Sequence, residues 1–191
     1  MIYMNSNITR VSVGPFGSLF ACGDVSLLNR SSVSVAGSRK IDSKSSKWLH
    51  NILSQSGGRV IISGLALGAD AVAHNYALNH NIPTIAVLPS GFNNIAPASH
   101  IKLARRIVSS GGLLLSAYSP STRACRSNYI DRNQIIAELG DVLIIPQCNY
   151  RSGTMHTVNF ARSAHKNIIV HDASYSGNQY ILKSYDLAFA K

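Results

Sequence analysis

Acid is what this 191-residue chain has least of. Eight Asp and Glu face 18 Lys and Arg, a formal net charge of +10 at pH 7. Glu138 is the only Glu. Supply alone therefore excludes catalysis by paired glutamates and an all-carboxylate metal cage. Cysteine is scarce too. Cys22, Cys125 and Cys148 share no CxxC spacing, which excludes a zinc knuckle and a redox dithiol. The seven His lack metal-ligand spacing, and His74 and His80, six apart, do not share a helix face. No metal is expected. Thiols this few read as buried free groups in a reducing cytoplasm, the expected location. No apolar run reaches the length of a membrane span, so no membrane partner is expected. The stretch ending Leu19-Phe20-Ala21-Cys22 is broken by Gly14, Pro15 and Gly17 and does not read as a secretion signal. GxGxxG is absent, and so is GxxxxGK followed by Ser or Thr, so no dinucleotide or ATP cofactor is expected. With no G-x-S-x-G elbow either, no catalytic residue is assigned and the chain is read as a non-enzyme.

What is there is regular. Hydrophobic residues make up 46% and charged residues 14%, which argues against disorder. From residue 33 short apolar runs alternate with amphipathic ones. Strands are expected at Val33–Ala36, Val60–Ile62, Thr84–Leu88, Leu113–Leu115, Val142–Ile145 and Asn167–Val170. Helices are expected over Trp48 to Leu53, from Asp70, over Ile101–Val108, over Asp131–Leu139, and after Thr154 to about His165. The strand runs are apolar without alternation, as in parallel strands covered on both faces. The pattern predicts an α/β fold: a doubly wound, mostly parallel sheet with helices on both faces. Residues 31–191 are read as that domain, and residues 1–30 as a less regular N-terminal extension packed on it.

In such sheets ligands bind beyond the C-terminal strand ends. The loops there are chemically alike. They are Gly37-Ser38-Arg39, Ser63-Gly64 through Gly68 to Asp70, Ser90-Gly91, and Arg151-Ser152-Gly153-Thr154. Glycine lets backbone amides approach an anion, hydroxyls add donors, and helix N-termini add partial positive charge. Arg39 and Arg151 add full charges and forked donors. Several such loops on one edge suggest a phosphate-binding crevice. Asp70 and His74, four apart, can touch on one helix face. A helix-start cap beside a satisfied histidine is the preferred reading, over a ligand-facing Asp held by His74. Arg123, Arg126 and Arg132 form a second basic cluster with Asn128, Tyr129 and Asn133 interleaved. There Arg suits phosphates and Tyr129 offers a stacking surface for a single strand.

At this point the loops match a family. Val35-Ala36-Gly37-Ser38-Arg39 looks like a V-G-S-R strand end, and Ser63 to Asp70 with Ala73-His74 like an S-G-x-A-x-G-x-D-x-x-A-H motif. Thr84 to Leu88 with Ser90-Gly91 and Pro97 follows, then Gly111-Gly112 with Leu115-Ser116. Asp131-Arg132-Asn133-Gln134-Ile135-Ile136-Ala137 is similar to an R-N-R-I-I-A motif, and Ser152-Gly153-Thr154 with Thr157 and Ala161 to an S-G-S/T…T-A segment. In order and number these resemble the DNA-processing protein A (DprA/Smf) family, in its extended Rossmann-like domain, over about residues 15 to 186. The chain departs from the family pattern at Leu67 and Gln134, where basic residues are usual, and at Ala96, Ala117 and Pro146. Its length is expected to hold the Rossmann-like domain without the helical or winged-helix domains many members carry.

The resemblance implies a protein that binds single-stranded DNA and loads a RecA-type recombinase, in natural transformation or recombination, usually as a dimer. Its pocket maps to Gly37, Ser38, Arg39, Arg132 and Asn133, with Ser152 and Gly153 nearby. The expected partners are thus single-stranded DNA, a RecA-type recombinase and a second copy of the chain. The alternative is a nucleotide ligand, sensed or sequestered, as in the related Rossmann-like phosphoribohydrolases. Their P-G-G-x-G-T-x-x-E motif is matched poorly by Arg151 to Thr157, which lacks the Gly pair and the Glu, so hydrolysis is disfavoured.

Overall fold

A computed structural model describes residues 8–184. The first seven residues of the expected extension, and residues 185–191, lie outside the described residues. The elements run β1 (Ile8–Ser12), β2 (Ser18–Gly23), β3 (Ser32–Val35), α1 (Ser43–Ser54), β4 (Val60–Ser63), α2 (Ala69–Asn79), β5 (Thr84–Leu88), α3 (Ile101–Ser109), β6 (Leu113–Ser116), α4 (Arg126–Leu139), β7 (Val142–Ile145), α5 (Thr154–Ser163), β8 (Asn167–Val170) and α6 (Ser176–Ser184). They form one eight-stranded sheet in the order β1-β2-β6-β5-β4-β3-β7-β8. The six strands from β6 to β8 are parallel, and β1 and β2 add to the β6 edge as an antiparallel hairpin.

The unalternating apolar runs do what that pattern requires. Every residue of β3, β4, β5 and β6 is buried. Val60, Ile62, Ile85, Val87, Leu113 and Leu115 face Ile135 and Ile136 of α4. Leu143 and Ile145 on the same side meet Val158 and Ala161 of α5 and Ile181 of α6. Their sequence neighbours point the other way, because strand side chains alternate. There Val33, Val35 and Ile61 pack on α1 and α2, and Ala86, Leu88 and Leu114 on α3. The sheet is thus doubly wound.

Two small residues bring α4 unusually close to the sheet. The Ser34 hydroxyl donates to the Ile136 carbonyl, and a Cβ on Gly140 would collide with Ser34. The order of strands reverses beside this contact: the chain travels outward from β3 through β4, β5 and β6, then returns to pair β7 with β3 on its other side. Loops after β3 and β7 therefore diverge and leave a crevice at their C-terminal ends.

The last helix locks one wall of that crevice. Asn178 on α6 is fully buried. Its Oδ1 accepts from the Cys148 amide (2.7 Å), and its Nδ2 donates to the His171 carbonyl (2.9 Å). Asn178→Ala would strand the buried Cys148 amide, whereas the His171 carbonyl keeps the Ala173 amide (2.8 Å). We expect it to cost ~1–3 kcal/mol, the desolvation penalty of one unsatisfied buried group. Thermal unfolding checks this, at roughly 2–4 °C of Tm per kcal/mol for a domain of this size; an unchanged Tm would refute it.

Candidate functional site

The crevice at the β3/β7 reversal has a volume of ≈ 420 Å³. Three loops frame it, and Ser38 ties them together. Its amide donates to the Gln147 carbonyl after β7 (2.7 Å), and its carbonyl accepts from Ala69 at the start of α2 (3.1 Å). Its hydroxyl is spent within its own loop, on both backbone groups of Lys40. Gln147, buried, adds a second tie: Oε1 accepts from the Asp42 amide (2.8 Å) and Nε2 donates to the Lys40 carbonyl (3.2 Å). Gly68, at φ +75, lies so close to the Ser38–Arg39 backbone that any side chain there would strike it. A left-handed φ also favours glycine on its own account. The loop after β3 is therefore a braced platform, and exposed Arg39 stands on its rim.

Arg132 forms the floor. It is 4% exposed, a rare state for a guanidinium. Its Nη1 lies 3.7 Å from Asp70 Oδ2 and donates to the Val87 carbonyl (3.3 Å). Its Nε is buried with no hydrogen-bond partner. Gly64 makes this placement possible, because a Cβ there would occupy the guanidinium's position. Asp70 is itself buried and accepts from the Ala66 amide (3.1 Å). Burial pushes its carboxyl up, while Arg132 and the Ala66 amide pull it back. Burial likewise lowers Arg132, with Asp70 opposing, but a guanidinium starts so high that it stays charged. Asp70 is the one acid among the residues lining the crevice, against Arg39 and Arg132. Ser152 also lines it with a buried, unpartnered hydroxyl, and Gly153 and Thr154 bring in the positive end of α5. Asn133 donates to the Gly153 carbonyl (3.3 Å).

The structure thus gathers Gly37, Ser38, Arg39, Asp70, Arg132, Asn133, Ser152, Gly153 and Thr154 around one space. Gly64 and Gly68 support it from behind. Ser63 is structural: its hydroxyl donates to the Val35 carbonyl (2.8 Å). Ser90 and Gly91 stand apart from the crevice; the Gly91 amide is bound to the Thr122 carbonyl (2.9 Å) and its Cα faces the Ser119–Pro120 backbone. Arg151 lines a neighbouring groove instead. Arg132 is the floor of the site, where the sequence reading puts a charge on a loop or helix start. Tyr129 is taken as well: the Arg39 and Arg132 guanidinium carbons lie 5.2 and 5.8 Å from its ring centroid. The sequence reading misses the Asp70–Arg132 pair. The scarcity of acid was a usable signal, because a buried Arg needs one of very few carboxylates.

Asp70 and His74 go to separate partners. The Thr84 hydroxyl donates to the Ile61 carbonyl (2.6 Å), so it accepts from His74 Nδ1 (2.8 Å). Nδ1 therefore carries the proton and Nε2 does not. Nε2 is buried without a partner. Burial, with His100 and Arg132 nearby, pushes the His74 pKa down to about 3. His100 in turn pairs with the Leu65 carbonyl (2.8 Å), holding a residue at φ +60 between Gly64 and Ala66. Among the described residues no cluster of three or more His, Cys, Asp or Glu could hold a metal ion, and no helix is long and apolar enough to cross a membrane.

A sequence model of the family described as DNA recombination-mediator protein A matches residues 6–184. The chain belongs to this family. It is 35% identical over 147 residues to protein Smf of Escherichia coli, covering 76% of this chain and 39% of the relative. The chain spans less than half the length of the curated DprA/Smf relatives it matches. Its fold matches DNA processing protein A from Helicobacter pylori with a TM-score of 0.83 at 27% identity, over 93% of this chain and 87% of the other. That structure was solved to describe the Helicobacter protein's single-stranded DNA binding mode. DprA from Streptococcus pneumoniae matches with a TM-score of 0.83 at 28% identity, over 88% of this chain and 61% of the other. The α/β Rossmann-like architecture expected from the strand pattern is therefore the family's own.

Proposed function

We propose that this DprA/Smf-family chain binds single-stranded DNA, holding backbone phosphates in the β3/β7 crevice without catalysing a reaction on them. One observation carries the reading: the crevice floor is a buried guanidinium with an unpartnered Nε and a single acid beside it. A phosphate entering the crevice would meet the Arg132 guanidinium on its floor, and exposed Arg39 would close on it from the rim. The braced Ser38 loop and the start of α5 add backbone dipoles to the same anion. The Helicobacter relative's single-stranded DNA binding supports the same ligand.

Arg39 is the residue to test, because it is exposed and its removal leaves the core intact. Arg39→Ala should weaken binding of a fluorescent dT oligonucleotide and lower the log–log salt slope by ~0.7, the share of one phosphate contact on a single strand. Anisotropy titrations at several salt concentrations measure both. Binding that ignores salt, or an unchanged slope in the variant, would sink the proposal. As a recombination mediator the chain would then hand the bound strand to a RecA-type recombinase, as a dimer. Recombinase filament formation on DNA coated by a competing single-strand-binding protein, with and without the chain, tests that step.

The crevice volume of ≈ 420 Å³ supports one second reading, because it falls in the range of small-ligand pockets. A nucleotide derivative would use the same phosphate donors. Mass spectrometry of the denatured purified protein separates the two: a copurified nucleotide favours the second.

A further inference from the structure

We propose that Tyr150 is a base-stacking platform that carries the single strand out of the crevice. This rests on the reading of the crevice as a single-stranded DNA site. A second groove of ≈ 490 Å³ adjoins the crevice and shares Arg39, Tyr129, Asn133, Ser152 and Gly153 with it. The shared residues make the two spaces one continuous surface. The groove adds Arg126, Arg151 and His156, and no Asp or Glu lines it. In a chain with so many cations, an acid-free groove running from a phosphate site follows the needs of a backbone with one negative charge per nucleotide.

A single strand also presents bases, and a base needs a free aromatic face. Tyr129 does not offer one freely, because Arg39 and Arg132 hold its ring. Tyr150 does. Among the described residues four large apolar side chains are exposed, and two of them, Tyr150 and Tyr180, form one pair at this groove. Tyr150 is 48% exposed. Its ring meets Tyr180 edge-on, with centroids 4.5 Å apart, and its amide is held by the Ser176 hydroxyl (3.1 Å). An edge contact covers at most one face of either ring, so Tyr180 braces Tyr150 while a face stays open. A ring fixed in this way loses little freedom when a base stacks on it. Only an unpaired base can reach such a face, which selects single over double strands.

The test compares wild type, Tyr150→Ala, Tyr150→Phe and Arg39→Ala on a dT oligonucleotide and on an abasic strand of equal length. Stacking predicts about tenfold weaker dT binding for Tyr150→Ala, from the usual worth of one base on an aromatic ring. Tyr150→Phe should bind as wild type does. The salt slope of Tyr150→Ala should stay unchanged, because no phosphate contact is removed. On the abasic strand wild type and Tyr150→Ala should bind alike. Equal dT affinity in wild type and Tyr150→Ala, with Arg39→Ala still weakened, would overturn the platform and leave the crevice reading standing. Equal loss on both strands would overturn it too, since it would show a structural effect. No dT binding by wild type would overturn both readings together.

Discussion

Asp70→Ala is expected to destabilise the protein by about 3–5 kcal/mol, the cost of leaving a buried charge without its partner. Whole domains are stable by only ~5–15 kcal/mol, so this single change approaches the limit of foldability. Arg132 sets the size of this effect. It cannot shed its proton and cannot swing out, because Gly64, α4 and the sheet enclose it. Its other contacts are a 3.3 Å bond to the Val87 carbonyl and the Tyr129 ring. Without Asp70 the positive charge would sit in a poorly solvated floor with one carbonyl for company. Urea unfolding at pH 7 measures the loss as a lower midpoint at constant slope. The double variant Asp70→Ala, Arg132→Met should recover much of it, because removing both charges leaves nothing to solvate. A wild-type midpoint in Asp70→Ala would show that the pair does not hold the floor. Ligand binding should separate the variants differently: the double variant, though stable, should have lost the crevice's phosphate contact.

The second large effect comes from His74 and emerges only in acid. Its folded pKa, about 3, is far below the usual histidine value near 6.5. A depressed pKa means that the unfolded chain takes up a proton which the native protein refuses. The stability tied to the neutral ring is therefore complete above pH 6.5 and is lost as pH falls toward 3, at up to ~1.4 kcal/mol per pH unit. Asp70 acts in the opposite sense, because its raised pKa lets the native state accept a proton first. Comparing wild type with His74→Asn cancels the Asp70 contribution. Asparagine can still donate to the Thr84 hydroxyl but cannot titrate. Between pH 7.5 and pH 4.5 the variant should lose roughly 3 kcal/mol less stability than wild type, read from urea midpoints across pH. Parallel pH profiles would contradict this assignment.

Where the sequence was legible, local pattern and global fold agreed. Thr84–Leu88, Val142–Ile145 and Asn167–Val170 are strands within the bounds that their apolar runs predict. The start of α4 was not legible. The sequence reading begins that helix at Asp131, whereas it begins at Arg126 after Cys125, which makes no side-chain cap. No Ser, Thr, Asp or Asn marks that boundary. The β1–β2 hairpin reads as an irregular extension, because Gly14, Pro15 and Gly17 break its pattern; they form the turn between the strands. At the candidate site, Arg39 and the loops at Ser38 and Ser152-Gly153 could be read directly, since their chemistry is local, but Ser90-Gly91 carries the same signature and stands apart from the crevice. The Asp70–Arg132 pair had only the scarcity of acid to announce it, because the passage of α4 across β3 is what brings those residues together. Tyr150 escaped notice for the same reason: its partner Tyr180 lies on a helix beyond the last strand.

The reversal of strand order has a consequence in time as well as in space. Val33 pairs with Val142, so the β3/β7 seam closes a loop of about a hundred residues. Closing so long a loop is entropically late, and parallel pairing of this kind is slow. Every wall of the crevice depends on that seam, since Ser38 is tied to Gln147 and Arg132 hangs over it. No fragment of the nascent chain can hold a phosphate before the seam has formed. Under the proposed function, capture of a strand would wait for the closed seam, and a ligand present during refolding would reward only that late step.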